Sequence, residues 1–428
     1  MRKTLDQERS SMKKRTIRIA SIAIAAAIGV SLSACSSSTG STGSDQTLTI
    51  YGWKGNEAQP AGVPEINAAF EAANPGVTVN YEFIDAGATI AQRLQPELLA
   101  GTGPDVFMVT SSEITQYQGN GYLTDLSDEP WVSTISDQVK PFVEADGATY
   151  AVPLGIIPIG LWANMDVLGQ AGITTFPTTY SELIGDLETL KAAGITGLSV
   201  PNKGAYTADA LLNGIASTLV YRDNPQWDAN FMSGSTDFSD WKPSVDQLVA
   251  LGDDGLVDWK SSLGVDEWGQ GLQDFKAGKS AFLYQGGWNL ADFQTAIPSV
   301  QFGPWPASNE GPQWATMFAG VNWAVNAASD KQELAKKYLA FWADSENDQE
   351  FLEAEASYSP FDGGTSPTND ATTLIADAVG AGDYRLLAAT TWFPQTNEDE
   401  FGQDLQSLFL GQTTTDDLLS KWDSFREK

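Results

Sequence analysis

Thr47-Leu-Thr-Ile-Tyr51 alternates polar and apolar side chains and runs straight into Gly52-Trp-Lys-Gly-Asn56. A period of two marks a strand with Leu48 and Ile50 on its inner face, and the glycines mark the turn that ends it. Pro64–Ala73 then carries Ile66, Ala69, Phe70 and Ala73 at helical spacing, and Asn74-Pro75-Gly76 stops it. Val77–Phe83 alternates again. Strand, helix and strand in immediate succession form a βαβ unit, which demands a parallel sheet and a right-handed crossover.

The same grammar extends outward. Ile90, Leu94, Leu98 and Leu99 predict a helix closed by Gly101, with Pro96 either kinking it or marking its true start. Pro104–Val109 is a continuous apolar run of the kind buried parallel strands show, and Ser111-Ser112 fits an N-cap for the next helix. Asp105 at the start of that run reads as structural. A second lobe begins after Tyr150-Ala-Val-Pro-Leu154. Helix signals recur over 181–193, 207–220, 243–251 and 267–277, with short apolar runs such as 197–200 and 280–284 between them. A strand near Gly320–Val325 precedes an amphipathic helix over 330–343, with Leu334, Ala335, Tyr338, Leu339, Phe341 and Trp342 on its apolar face. Ser357–Thr368, rich in Gly, Pro and Ser, reads as a crossing segment, and helices around 405–410 and 416–425 end the chain. No internal repeat of fixed period is visible.

The chain has 428 residues, 42% hydrophobic and 18% charged, which is globular composition and enough for two or three domains or one two-lobed body. Its formal charge of −31 repels nucleic acid and anionic headgroups. The absence of histidine excludes Ser-His-Asp and Cys-His catalysis and every histidine-containing metal site. Cys35 is the single cysteine, so no intramolecular disulfide forms. Ahead of it stand a basic segment (Lys13, Lys14, Arg15, Arg18) and an apolar, alanine-rich run from Ile19 to Leu32, the three-part pattern of a secretory signal over residues 1–34. Leu32-Ser-Ala-Cys35 resembles the bacterial lipobox, which implies that Cys35 is lipidated and becomes the mature N-terminus. Removing residues 1–34 takes away seven Lys/Arg and two Asp/Glu, so the exported body carries −36. The Ser/Thr/Gly stretch after Cys35 is a flexible tether (35–46), whose first nine residues reach about 15–18 Å.

Five motifs occur in order: Asn74-Pro-Gly-Val-Thr-Val79, Ala100-Gly-Thr-Gly-Pro-Asp-Val106, Tyr150-Ala-Val-Pro-Leu154, Phe275-Lys-Ala-Gly-Lys-Ser-Ala281 and Gly286-Gly-Trp288. With them the chain resembles the carbohydrate-binding, maltodextrin-type solute-binding lipoproteins of bacterial ABC importers over nearly all of its mature length. The resemblance implies an α/β, two-lobed periplasmic-binding-protein-like fold, its lobes joined by crossing hinge segments and closing on a sugar. The lobes expected are 47–156 with 322–366, and 157–321 with 367–428. The implied partners are a mono- or oligosaccharide, the permease subunits of an ABC transporter, and the outer face of the cytoplasmic membrane through lipid on Cys35. The chain is expected to act as a monomer, without cofactor, metal or nucleic acid, and not as an enzyme.

A sugar presents hydroxyls at its rim and C–H-rich faces, so its site needs flat aromatic platforms beside convergent amides and carboxylates. Such groups gather at loops beyond the carboxyl ends of strands. Trp53 follows the first strand, Trp288 follows Gly286-Gly287, and Trp323 stands at a lobe crossing. The two glycines permit positive φ and close backbone approach, so the Trp288 ring can be presented at a strand's end; a core position beside Leu283 and Phe293 is the rival reading. The resemblance places stacking aromatics at Trp288, Tyr206 and Trp392, with core packing competing at Trp392. Trp305, between two prolines, reads as structural. Asn56, Glu57, Asp85, Ser111, Ser112 and Asn289 are the hydroxyl contacts favoured, each also readable as a solvated turn or a helix cap. Related chains often carry a carboxylate where Ser112 stands, which implies fewer charged contacts on that side. A secreted glycoside hydrolase is the alternative function. It requires paired carboxylates across a cleft, and no catalytic motif is visible. A receptor for peptide or metal is the third reading.

Overall fold

A computed structural model describes residues 46–55, 61–86, 88–366, 368–387 and 395–427. The signal segment, Cys35, Asn56, Glu57 and Trp392 lie outside these described residues. In chain order the elements that shape the site are β1 (Gln46–Gly52), α1 (Val63–Ala73), β2 (Val77–Phe83), α2 (Ala88–Ala100), β3 (Val106–Val109), α3 (Ser111–Gly119) and β4 (Ala151–Pro153). They continue with β5 (Ile157–Ala163), β6 (Leu198–Ser199), α4 (Tyr206–Ala216), β7 (Phe282–Gly286), β8 (Gln301–Gly303) and β9 (Ala315–Phe318). Last come β10 (Asn322–Val325), α5 (Gln332–Trp342) and β11 (Tyr384–Leu386).

The first sheet has the order β2-β1-β3-β10-β4. β1 is parallel to both β2 and β3, as the βαβ reading requires, with Ile50 opposite Tyr81 and Val106. The sheet is nevertheless mixed, because β10 returns from far along the chain and pairs antiparallel with both β3 and β4. The alternation read at the start holds: Leu48 and Ile50 are fully buried. Phe70 of α1 meets Tyr338 of α5 edge to face at 5.1 Å, which closes the core above the sheet.

Three local expectations change. α2 runs continuously from Ala88 through Pro96, so that proline does not mark a start. The N-cap of α3 is Thr110 rather than a serine, since Glu113 reaches back to accept from the Thr110 N–H at 2.8 Å. Helix α4 ends at Ala216 and passes into a wider π turn over Ser217–Tyr221.

The second sheet has the order β11-β9-β5-β7-β6, with β8 also paired to β5. β5 is flanked by antiparallel partners, and all seven of its residues are buried. The chain passes from the first sheet to the second at 154–156 and returns at 319–321, between β9 and β10. A third passage follows Phe361, which still bridges Ile135. Two hydrophobic clusters result: one runs from the first sheet to one face of the second (Trp162, Leu283, Phe302, Met317), the other covers the opposite face of the second sheet (Leu161, Phe282, Tyr284), and Trp288 and Phe318 pack against both. Tryptophan abundance turns out to serve the cores first. Trp162, Trp227, Trp241, Trp305, Trp323, Trp342 and Trp422 are all fully buried.

Candidate functional site

Between the two sheets lies a cavity of about 550 Å³ with walls from both. The end of β1 supplies Trp53 and Lys54, and the end of β2 supplies Phe83 and Asp85. Because these strands are parallel neighbours, their carboxyl ends open at one edge, where ligand groups collect in such sheets. Opposite stand Tyr206, Asp209 and Asn213 of α4, Asp266 and Trp268 of the segment before helix Gln270–Lys276, and Trp288 beyond β7. Tyr206, Asp209 and Asn213 are spaced three and four apart, so the helix aligns them on one face.

Three rings form a continuous aromatic wall. The Tyr206 and Trp268 centroids lie 5.0 Å apart, Trp268 and Trp288 6.0 Å, and Tyr206 and Trp288 6.3 Å, with interplanar angles of 36–47°. Trp268 remains 48% exposed, which leaves ring surface free. Another groove, of about 480 Å³, runs past Trp259 on the outer side. There Phe409 stacks flat on the indole at 4.0 Å and 2°, so one of its faces is already occupied.

The glycines before Trp288 act by close approach alone. Neither has positive φ, contrary to one part of the expectation. A Cβ at Gly286 would lie 2.3 Å from the Trp288 ring, and one at Gly287 would lie 2.7 Å from the Glu355 carbonyl oxygen. The ring folds back across Gly286 and presents its remaining surface to the cavity.

Polar groups are held as firmly. Lys54 Nζ donates to Glu355 Oε2 at 2.6 Å, and the two side chains are only 4% and 1% exposed. Burial pushes the Glu355 carboxyl up, and the Lys54 ammonium partly offsets this. The same ammonium sits 5.4 Å from the Trp288 ring centre, within cation–π range. Asn213 donates to Asp209 Oδ1 at 2.8 Å and accepts from Arg385 at 3.0 Å, a chain of bonds that fixes both groups in the wall.

Of the residues the sequence singled out, Trp53, Asp85, Tyr206 and Trp288 come together in this cavity. Others do not. Trp323 is fully buried against Tyr81, Tyr338 and Trp342, because β10 is covered on both faces; it is a core residue. Ser111 is buried and donates to the Ala319 carbonyl, tying α3 to the return crossing. Ser112 lies 3.0 Å from the Thr110 hydroxyl in the first turn of α3, away from the cavity lining. Asn289 is buried and bonds back to the Gly286 carbonyl. Asp105 is structural as read: it accepts from the Thr49 N–H and hydroxyl and from Ser329 and Lys331. Sequence reading missed Lys54, Asp209, Asn213, Asp266 and Trp268. Trp268 stands just ahead of a helix, a placement visible in the sequence, and the stripe on α4 was open to detection by its spacing.

Among the described residues, no group of three or more His, Cys, Asp or Glu is placed to hold a metal ion, and no helix is long and apolar enough to cross a membrane.

The chain is 25% identical over 360 residues to the maltodextrin-binding protein MdxE of Bacillus subtilis (strain 168), covering 78% of each chain. It is 30% identical over 138 residues to a putative binding protein of Brucella abortus (strain 2308), where it spans 32% of that protein's length and 30% of its own. Among solved structures, a chitin oligosaccharide binding protein superposes with a TM-score of 0.73 at 21% identity, covering 90% of this chain and 98% of that one. The fold is therefore the two-lobed α/β arrangement of periplasmic-binding proteins. The sequence pattern of the bacterial extracellular solute-binding protein family matches residues 54–349, and the chain belongs to that family of binding proteins, which are not enzymes.

Proposed function

We propose that the protein captures an oligosaccharide in the cleft between its two sheets and delivers it to the permease of an ABC importer. The observation that carries this reading is the aromatic wall of Tyr206, Trp268 and Trp288 set among Asp85, Asp209 and Asp266. Flat rings suit the C–H faces of pyranoses, and carboxylates accept from their hydroxyls. Two relatives named for different sugars, maltodextrin and chitin oligosaccharide, support the class of ligand. Trp53, Asp85, Tyr206 and Trp288 are its proposed contacts, together with Lys54, Asp209, Asn213, Asp266 and Trp268. Asn56, Glu57 and Trp392, outside the described residues, keep the roles the sequence suggests.

The lobes of the proposal are 47–156 with 322–366 and 157–321 with 367–428, hinged where the chain crosses. Lipid on Cys35 holds the monomer to the outer face of the membrane. Calorimetric titration with maltotriose and chitotriose tests the reading. Heat of binding and a raised melting temperature are expected with at least one, by mass action. Silence across these and a wider panel of neutral oligosaccharides would defeat it.

A further inference from the structure

Tyr206 and Trp268 of the aromatic wall belong to segments 61–63 residues apart, and one buried carboxylate joins them. Glu267, 1% exposed, stands between the cavity-lining residues Asp266 and Trp268. Its Oε2 accepts from the Gly204 N–H at 2.9 Å and its Oε1 from the Tyr206 N–H at 3.4 Å. These bonds continue a short ladder in which Asn202 N donates to the Ser262 carbonyl and Lys203 N to the Val265 carbonyl.

The local backbone is built around that carboxylate. A Cβ on Gly204 would fall 2.5 Å from Glu267 Oε1, so any side chain there would have to displace the carboxylate. Ala205, at the N-cap of α4, has φ +72°, a left-handed conformation that disfavours a side chain. An alanine N-cap offers no oxygen to the first N–H groups of its helix. Asn202 Oδ1 accepts from the Ala208 N–H at 2.9 Å, and Glu267 adds the acceptor for the Tyr206 N–H from a remote segment, with its carboxylate at the positive end of the helix dipole.

We propose that Glu267 is a positioning residue for ligand binding, which fixes Tyr206 against Trp268 so that the two rings form one preassembled platform. The inference rests on the cleft being the sugar site, yet its consequence for the rings can be read without ligand. Glu267 touches no ligand itself. Removing it frees the start of α4 and separates the rings, so binding must reassemble the platform.

The test uses the exported chain with Glu267→Ala, Glu267→Gln, Trp268→Phe and, as a remote control, Asp258→Ala, which removes the N-cap of helix Trp259–Ser262. Near-ultraviolet circular dichroism is recorded without ligand, and affinity is measured with whichever of maltotriose or chitotriose the wild type binds. Glu267→Ala is expected to lose the aromatic band that Trp268→Phe loses and to bind at least tenfold more weakly. Glu267→Gln, which keeps one acceptor, falls between it and wild type, and Asp258→Ala retains both band and affinity. If the Ala variant does not fold, the Gln variant decides. An unchanged band in a folded variant overturns the proposal, as does affinity within twofold of wild type, or failure of both variants to fold. Should the wild type bind neither sugar nor any of the wider oligosaccharide panel, the sugar reading fails, and the ligand-free band still decides the role of Glu267.

Discussion

Replacing Lys54 with methionine keeps most of the side chain's length and removes its charge, leaving Glu355 buried without its partner. Deleting one member of a buried pair typically costs about 3–5 kcal/mol, because the remaining charge is stranded away from water. The size can be bounded independently. Glu355 can escape the penalty by taking up a proton. Holding a carboxyl with an ordinary pKa near 4.3 protonated at pH 7.5 costs roughly 4.4 kcal/mol, and at pH 5.0 only about 1 kcal/mol. Those figures are ceilings on the charge penalty at each pH.

Lys54→Met is therefore expected to lose about 3–4 kcal/mol at pH 7.5 and about 1 kcal/mol at pH 5.0. The sign follows from linkage. Burial already raises the Glu355 pKa in the wild type, and without Lys54 it rises further. A carboxyl whose folded pKa lies above its unfolded value gains stability as pH falls through the folded value. Urea unfolding of both proteins at the two pH values measures the gap. Glu355→Gln added to Lys54→Met should recover most of the loss at pH 7.5, since no charge then remains to be stranded. A gap that widens at pH 5.0, or a double variant no more stable than Lys54→Met alone, would refute the reasoning.

Trp268→Ala separates binding from folding better than any change at Trp288, whose ring packs on both cores: with Trp268 48% exposed, sugar affinity should fall about tenfold, or 1.4 kcal/mol, while stability in urea moves by no more than about 0.5 kcal/mol. Burial pushes the Asp348 carboxyl up to about 6, with Asp344 adding repulsion against the Gln349 amide that bonds to it. Its ionised form thus opposes folding at neutral pH, and Asp348→Asn should stabilise by about 1–3 kcal/mol at pH 7.5, a gain that fades by pH 4 in parallel urea titrations. Cys35→Ser should release the protein from the membrane fraction into the medium or periplasm, and fractionation that leaves it membrane-bound would contradict lipidation at that residue.

What could be read from the sequence, and what could not, follows the range of the interactions involved. The β1–α1–β2 unit was legible because its signals are local: alternation at Leu48 and Ile50, helical spacing at Ile66 and Phe70, and a stop at Gly76. The insertion of β10 between β3 and β4 was not, because no neighbour of Trp323 announces that a strand over 200 residues away will pair with it. Burial of Trp323 follows from that pairing, so the same gap in local information produced the error at the site. Trp288 stood out because its ring follows two glycines at a strand's end, and Tyr206 because the family resemblance places a stacking aromatic there, ahead of a helix. Lys54 looked like any polar turn residue, because its partner Glu355 is 301 positions away. The Trp288 turn lies between these cases. Its glycines were visible and their use was half read: the ring needs the space a missing Cβ leaves, and the backbone needs no unusual φ. That distinction makes Gly286→Ala informative where a purely conformational role would not. Its φ of −77° suits alanine, so any loss of sugar affinity would come from displacing the ring 2.3 Å away.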